Sequence, residues 1–224
     1  MKNKLSIIIP IYNEKNLLIN FFSELFKVFE DSFVEYIIID DGSYDGSEVW
    51  LNEHIKPLSK KNIGKIILDN KNKFQIKTIE SINPEKYSKV IFISHNKNLG
   101  KGAAVINGLK ESTGNYLTIL DADLEYDPRD SLSMFNVLQE NKMGEVIFGS
   151  RSTSGLPHRH RYFLNALVSY FNTFLFNILF DKVISDIHCG QKIFTRNVYE
   201  KIILTSKDFS IDMDLGTQIA KANF

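Results

Sequence analysis

Apolar and polar positions fall along this chain in blocks whose period switches between strand and helix. Leu5–Ile11 is isoleucine-rich and almost wholly apolar, as a strand buried on both faces of a parallel sheet requires. Pro10 and Tyr12-Asn13-Glu14 close it, and Asn13 is placed to cap the next segment. Leu17, Leu18, Phe21, Phe22, Leu25, Phe26 and Phe29 then recur at spacings of three and four, which predicts a helix with one apolar face. Val34–Ile39 reads as a second strand that runs into Asp40-Asp41-Gly42-Ser43. Gly42 permits a tight turn there, and Ser43 or Asp45 can cap a helix reaching about His54. Strand, helix, strand, helix at this spacing is the βαβ arrangement of a parallel sheet.

Farther on, Lys65–Asp69 and Phe74–Ile79 flank Asn70–Lys73, which predicts a hairpin within 63–82. Val90–Ser94 is the next strand. Ala103–Ser112 is helical and stopped by Gly114. Tyr116–Leu120 is a short buried strand, Asp130–Asn141 a helix and Val146–Gly149 a strand. Asn197–Leu204 is a short helix, and a last helical run opens at Phe209–Leu215. Phe163–Phe180 is long and aromatic, and follows the basic cluster His158, Arg159, His160 and Arg161. Asn165, Ser169, Asn172, Thr173 and Asn177 argue against a simple transmembrane span. Two arrangements fit: a helix lying on a membrane surface or covering a lipid site, or a core helix with a solvated basic entry.

Length and composition narrow the class. The 224 residues suit one large domain, or one domain with an appendage, and 43% hydrophobic residues are enough for a sizeable core. Lys+Arg and Asp+Glu both total 27, which leaves no basic surplus for a broad nucleic-acid partner. The lone Cys189 excludes an internal disulfide and makes a reducing, cytoplasmic compartment the default. The apolar run Leu5–Ile9 is too short for a signal-peptide core.

The candidate chemistry lies just past the strand at Tyr116–Leu120, where Asp121, Asp123 and Glu125 follow in YLTILDADLEYDP. In an extended chain alternate residues share a side, so the three carboxylates would converge. Grouped acids repel and resist desolvation unless a cation joins them, and hard oxygen ligands suit Mg²⁺ or Mn²⁺. The carboxyl end of a strand in an open α/β sheet is also where ligands bind. These features imply a divalent-metal site for a phosphate-bearing ligand; the competing reading is a solvated acidic turn that opens the helix after Pro128. His188 and Cys189 are metal-ligand types, but two adjacent residues do not make a zinc site.

Five segments in order, SIIIPIYNE (6–14), IIIDDGSYDGS (37–47), NKNLGKGAAVINGL (96–109), GNYLTILDADLEYDP (114–128) and FGSR (148–151), resemble the family-2 glycosyltransferases. With SDIHCGQKIFTR (185–196), the resemblance narrows to the polyprenyl-phosphate branch, which includes dolichyl-phosphate mannose synthase and dolichyl-phosphate glucosyltransferase. It implies a single GT-A catalytic domain with a Rossmann-like, mostly parallel sheet flanked by helices. Residues 1–125 would hold the nucleotide sugar and 126–224 the acceptor. The implied reaction is metal-dependent, inverting transfer of a hexose from a nucleoside diphosphate sugar to a polyprenyl or dolichyl phosphate. On the same ground Pro10, Tyr12, Glu14, Ile39, Asp41, Asp121 and Ala122 would line the donor site, joined by Lys101 and Gly102. Asp123, with Glu125, would hold the metal, and Asp123, Arg151, Asp186 and Asp212 would carry catalysis. Asp186, Asp212 and Asp214 are the candidate bases if the acceptor is instead a glycan hydroxyl. Asp186 also has a structural reading, as a holder of the Cys189-Gly190 loop. A nucleotide-binding protein without turnover is the reading outside enzymology. Peripheral attachment at the cytoplasmic face of a membrane through 158–180 is also implied. The chain departs from the pattern in its long 53–89 region, in Gln191 where an aromatic or Arg is usual, and in ending at Phe224, where relatives continue.

Overall fold

The computed structural model describes residues 4–60, 65–68, 74–77, 88–140, 144–151 and 163–224. The strands are β1 (Leu5–Ile11), β2 (Val34–Asp40), β3 (Lys65–Leu68), β4 (Phe74–Lys77), β5 (Lys89–Ser94), β6 (Tyr116–Ile119), β7 (Val146–Phe148) and β8 (Lys192–Thr195). The helices are α1 (Leu18–Val28), α2 (Ser47–His54), α3 (Lys101–Glu111), α4 (Pro128–Glu140), α5 (Phe163–Phe180), α6 (Arg196–Lys201) and α7 (Ile211–Lys221). Six strands form one sheet in the order β5-β2-β1-β6-β8-β7. β5, β2, β1 and β6 are parallel, whereas β8 runs antiparallel to both of its neighbours.

The two-residue period of β1 decides which layer each side chain joins. Leu5, Ile7, Ile9 and Ile11 pack with Phe21, Phe22, Leu25 and Phe26 of α1 and with Phe135 and Leu138 of α4. Ile8 points the other way, with Ile37 and Ile39 of β2, onto Ala104, Val105 and Leu109 of α3 and Ile211 and Leu215 of α7. Each such side chain contributes about 1.5–3 kcal/mol through burial. β3 and β4 pair antiparallel as the predicted hairpin and seat Phe74 against Phe22, Phe26 and Trp50. Its turn, Asn70–Lys73, lies outside the described residues, as do His158–Arg161.

The chain builds outward from β1 to β2 and β5, then returns to the other side of β1 as β6. The reversal leaves a crevice at the carboxyl ends of β1 and β6, where open α/β sheets bind ligands.

Several local expectations change. Asn13 does not cap α1: it sits at φ 59° and its Oδ1 accepts the Tyr44 N–H at 2.9 Å, tying two loops together. The residue at the start of α2 is Gly46, while Asp45 accepts the Ser47 N–H one step earlier. Gly114 does not stop α3, which ends at Glu111. It is required because a side chain there would strike Ser6 of β1 and the Lys4 carbonyl just before it. Gln191, where the resemblance leads one to expect an aromatic residue or Arg, is buried and donates to Ser131 Oγ of α4 at 2.9 Å, a satisfied polar pair.

The core-helix reading of α5 fails. Of its residues only Thr173 and Phe176 are buried, and Phe163, Leu164, Leu167, Val168, Phe171, Phe174, Ile178 and Leu179 are all exposed. The inward face combines Phe176, packed with Ile187 and Ala220, with several polar side chains. Asn172 Nδ2 lies 3.1 Å from His188 Nε2, Thr173 Oγ1 accepts the Ile187 N–H, and the Asn177 amide pairs with both backbone groups of Ile184. Of the polar residues that argue against a transmembrane span, Asn172, Thr173 and Asn177 are thus spent on the protein, while Asn165 is exposed. Among the described residues α5 is the one helix long and apolar enough to cross a membrane.

Candidate active site

A cavity of about 360 Å³ opens at the crevice, large enough for a small ligand. Pro10, Ile11, Tyr12 and Glu14 reach it from the end of β1, Asp41 from the end of β2, and Asp121, Ala122 and Asp123 from the end of β6. Asn98, Gly100 and Lys101 enter from the start of α3, and Asp208 and Phe209 from the loop before α7. Eight of the residues named for donor and metal binding therefore meet here: Pro10, Tyr12, Glu14, Asp41, Lys101, Asp121, Ala122 and Asp123.

Ile39 does not line the cavity. It is fully buried beneath α3, where a side chain on Gly108 would strike it. Glu125 also lies outside, because the chain is not extended after β6. Leu124 takes φ 61°, and the Glu125 N–H donates to Asp123 Oδ1 at 2.8 Å. This turn sends the Glu125 carboxylate to within 4.0 Å of Arg151 Nη1. The convergence of three acids expected from strand alternation is thereby reduced to two.

The acids that remain are crowded. Lys101 Nζ lies 2.8 Å from Asp121 Oδ2 and 2.8 Å from Asp212 Oδ2, and so clasps the end of β6 to the first turn of α7. Asp212 Oδ1 is buried without a hydrogen-bond partner among the described residues. Burial pushes the Asp121 carboxyl up to about 6; Lys101 opposes the shift, and the charges of Asp212 and Asp123 add to it. Glu14 is likewise raised, by burial and then by Asp123, Asp45 and Asp121. Burial works against the Lys101 ammonium, but its two carboxylate partners outweigh it and hold its pKa above the ordinary lysine value. One lysine thus answers several acids.

Among the described residues no three His, Cys, Asp or Glu side chains form a ready metal cage. The donor set still fits a hard divalent cation completed by a ligand's own oxygens, because carboxylates exceed cations and two of them resist ionisation.

The remaining predicted residues have other partners. Asp41 accepts from His95 Nδ1 at 2.7 Å and from the Leu99 and Gly100 N–H groups, both at 2.9 Å. Arg151 makes a two-pronged pair with buried Asp186, Nε–Oδ2 at 2.7 Å and Nη2–Oδ1 at 2.9 Å. Asp186 also accepts the His188 N–H, which agrees with its structural reading as a loop holder. Asp214 accepts the Thr205 and Ser206 N–H groups and secures the loop before α7. Gly100 and Gly102 admit that loop, since a Cβ on either would collide with the carbonyls of Lys207 or Ser206. The Lys207 carbonyl then takes the Ala103 N–H, so this end of α3 is partly filled by protein.

Sequence reasoning missed three residues. Phe209 stands 82% exposed at the cavity rim. Lys192 is fully buried and donates to the carbonyls of Ile187 and Cys189, fixing the loop that brings Gly190 beside Asp121 and Asp212. His95 supports Asp41. No local period marks any of them.

Residues 6–79 and 66–203 match the family model for Glycosyl transferase family 2. The dolichyl-phosphate beta-glucosyltransferase of Dictyostelium discoideum is 29% identical over 214 residues, covering 90% of this chain and 57% of that protein. The dolichol-phosphate mannosyltransferase of Pyrococcus furiosus is 26% identical, covering 95% of this chain and 52% of that protein. The chain spans about half the length of these curated relatives. Among solved structures, glucosyl-3-phosphoglycerate synthase from Mycobacterium tuberculosis, in complex with Mn²⁺, UDP-glucose and phosphoglyceric acid, superposes with a TM-score of 0.61. It is 13% identical and covers 95% of this chain and 64% of that one. That likeness shows the fold, which is the GT-A arrangement.

Proposed function

The chain belongs to glycosyl transferase family 2, and from that premise we propose that it is an inverting hexosyltransferase. Its donor is a nucleoside diphosphate sugar of the UDP-glucose or GDP-mannose type, and its acceptor a polyprenyl phosphate. One observation carries the reading: the surplus of carboxylates around Lys101, in a cavity at the switch point of a parallel sheet. Both matched relatives are named for sugar transfer involving dolichyl phosphate, which supports the acceptor class.

In this reading 1–125 forms the donor half and 126–224 the acceptor half, with the Lys101–Asp212 contact joining them. Pro10, Tyr12, Glu14, Asp41 and Ala122 hold the nucleoside. Mg²⁺ or Mn²⁺, held by Asp123 with Asp121, would neutralise the diphosphate as the glycosidic bond breaks. The acceptor phosphate oxygen attacks the anomeric carbon in line, and the nucleoside diphosphate departs on the opposite side with the bonding pair. That oxygen is already ionised at neutral pH, so the protein positions and shields rather than abstracts a proton. Arg151 and Asp186 serve by fixing the loop beside the acids. The exposed face of α5 rests on the cytoplasmic surface of a membrane, where a polyprenyl chain is presented.

The test is incubation with radiolabelled UDP-glucose or GDP-mannose, Mn²⁺ and a short polyprenyl phosphate, followed by organic extraction. Label in the organic phase is expected; its absence with every common donor refutes the reading. The unpartnered Asp212 Oδ1 favours a second reading, in which Asp212 is the base for a glycan hydroxyl. Asp212→Asn would then abolish turnover while sparing donor binding.

A further inference from the structure

We infer that His95 is a positioning residue that presets Asp41 and the Asn98–Gly100 turn to receive the nucleobase of the donor. The inference rests on the donor-site reading above and goes beyond it. His95 follows β5, and its N–H extends the sheet by donating to the Asp40 carbonyl at 2.8 Å. Its ring is nearly buried. On one side Nδ1 lies 2.7 Å from Asp41 Oδ1, and on the other Nε2 lies 3.0 Å from Asn107 Nδ2 of α3.

The chemistry of these partners fixes the direction of the relay. An amide nitrogen only donates, so with Asn107 Nδ2 facing it Nε2 accepts, and the ring proton resides on Nδ1. Nδ1–H then donates to Asp41. The Leu99 N–H reaches the same Oδ1, and the Gly100 N–H reaches Oδ2. A carboxylate offers about four acceptor sites, so three bonds leave roughly one free. Asp41, Asn98 and Gly100 all line the cavity. His95 touches none of it and acts through Asp41: it locks the carboxylate in one orientation and so leaves that remaining acceptor in a fixed place. Gly100, at φ 96°, is held in the same network.

The two amide substitutions separate the bonds. In His95→Asn the amide nitrogen replaces Nδ1 and keeps the donor to Asp41. In His95→Gln it replaces Nε2 and loses that donor. Calorimetry with UDP and GDP in Mn²⁺ should show His95→Gln and His95→Ala weakened roughly tenfold, and His95→Asn close to the unsubstituted protein. Manganese pyrophosphate, which lacks a base, should bind all four proteins alike. Amide exchange in the ligand-free protein should quicken at Leu99 and Gly100 in His95→Gln and His95→Ala but not in His95→Asn. Equal losses for pyrophosphate, equal behaviour of the Asn and Gln variants, or unchanged exchange would overturn the inference. If the unsubstituted protein binds neither nucleotide, the donor-site reading fails and takes the nucleobase role with it. Quickened exchange at Leu99 and Gly100 in His95→Gln and His95→Ala in that case would locate the failure in the donor site rather than in the relay.

Discussion

Replacing Lys101 by Met tests the electrostatic centre of the site while keeping much of the side chain's apolar stem. The ammonium is mostly buried and sits 2.8 Å from each of two carboxylates that are themselves largely covered. Removing one partner of a buried ion pair costs about 3–5 kcal/mol, because the other charge is stranded. Here two charges are stranded, but Asp121, already pushed up to about 6, escapes part of the cost by taking up a proton. The expected loss is about 3 kcal/mol, at the lower end of that range. In urea at pH 7 it would lower the midpoint by about 1 M for an m-value of about 3 kcal/mol/M. Asp212→Asn in the Lys101→Met background removes one stranded charge and should restore roughly half of the loss, a coupling that a double-mutant cycle measures. A loss below about 0.5 kcal/mol, or strictly additive effects, would show that the acids are not crowded around this lysine and refute the reasoning.

Asp123→Ala should leave the melting temperature nearly unchanged but weaken UDP or GDP in Mn²⁺ at least about tenfold by calorimetry, with no matching loss in EDTA. Glu35→Gln, far from the cavity, tests the fold. This fully buried carboxylate accepts from Lys4, Ser6 and both Thr113 groups, and its loss should cost about 3 kcal/mol in urea without changing turnover per folded molecule. Burial raises the Glu35 pKa, but the bonds from Lys4, Thr113 and Ser6 outweigh it and hold the pKa below its usual 4.5. Its stabilisation is therefore present above pH 4.5 and fades as pH falls through the folded value, so the gap between the two proteins should close in acid. Changing Leu167, Phe171 and Phe174 together to Ser should release the protein from anionic vesicles in a sedimentation assay. Stability should hold, because all three side chains are more than half exposed.

The residue pattern by itself determined the layers and the edge at which the site lies. β1, β2 and β6 are legible because burial on both faces of a parallel sheet demands continuous apolar runs, and α1 because one buried face imposes a period near 3.6. The acids at Asp41, Asp121 and Asp123 stand out because they interrupt those runs where the strands end. β8 escaped notice: it has four residues, includes a buried lysine and obtains its partners from β6 and β7, so its identity is non-local. The direction of the apolar face of α5 was equally hidden, since a period records that a helix has two faces but not which one meets the protein. Only the tertiary structure decided that Lys101 joins Asp212, 111 positions away, that Glu125 turns from Asp123 toward Arg151, and that Asp186 is consumed by that same arginine. Sequence periodicity registers the solvent each side chain avoids, whereas the pairing of charges depends on where the fold brings distant loops together.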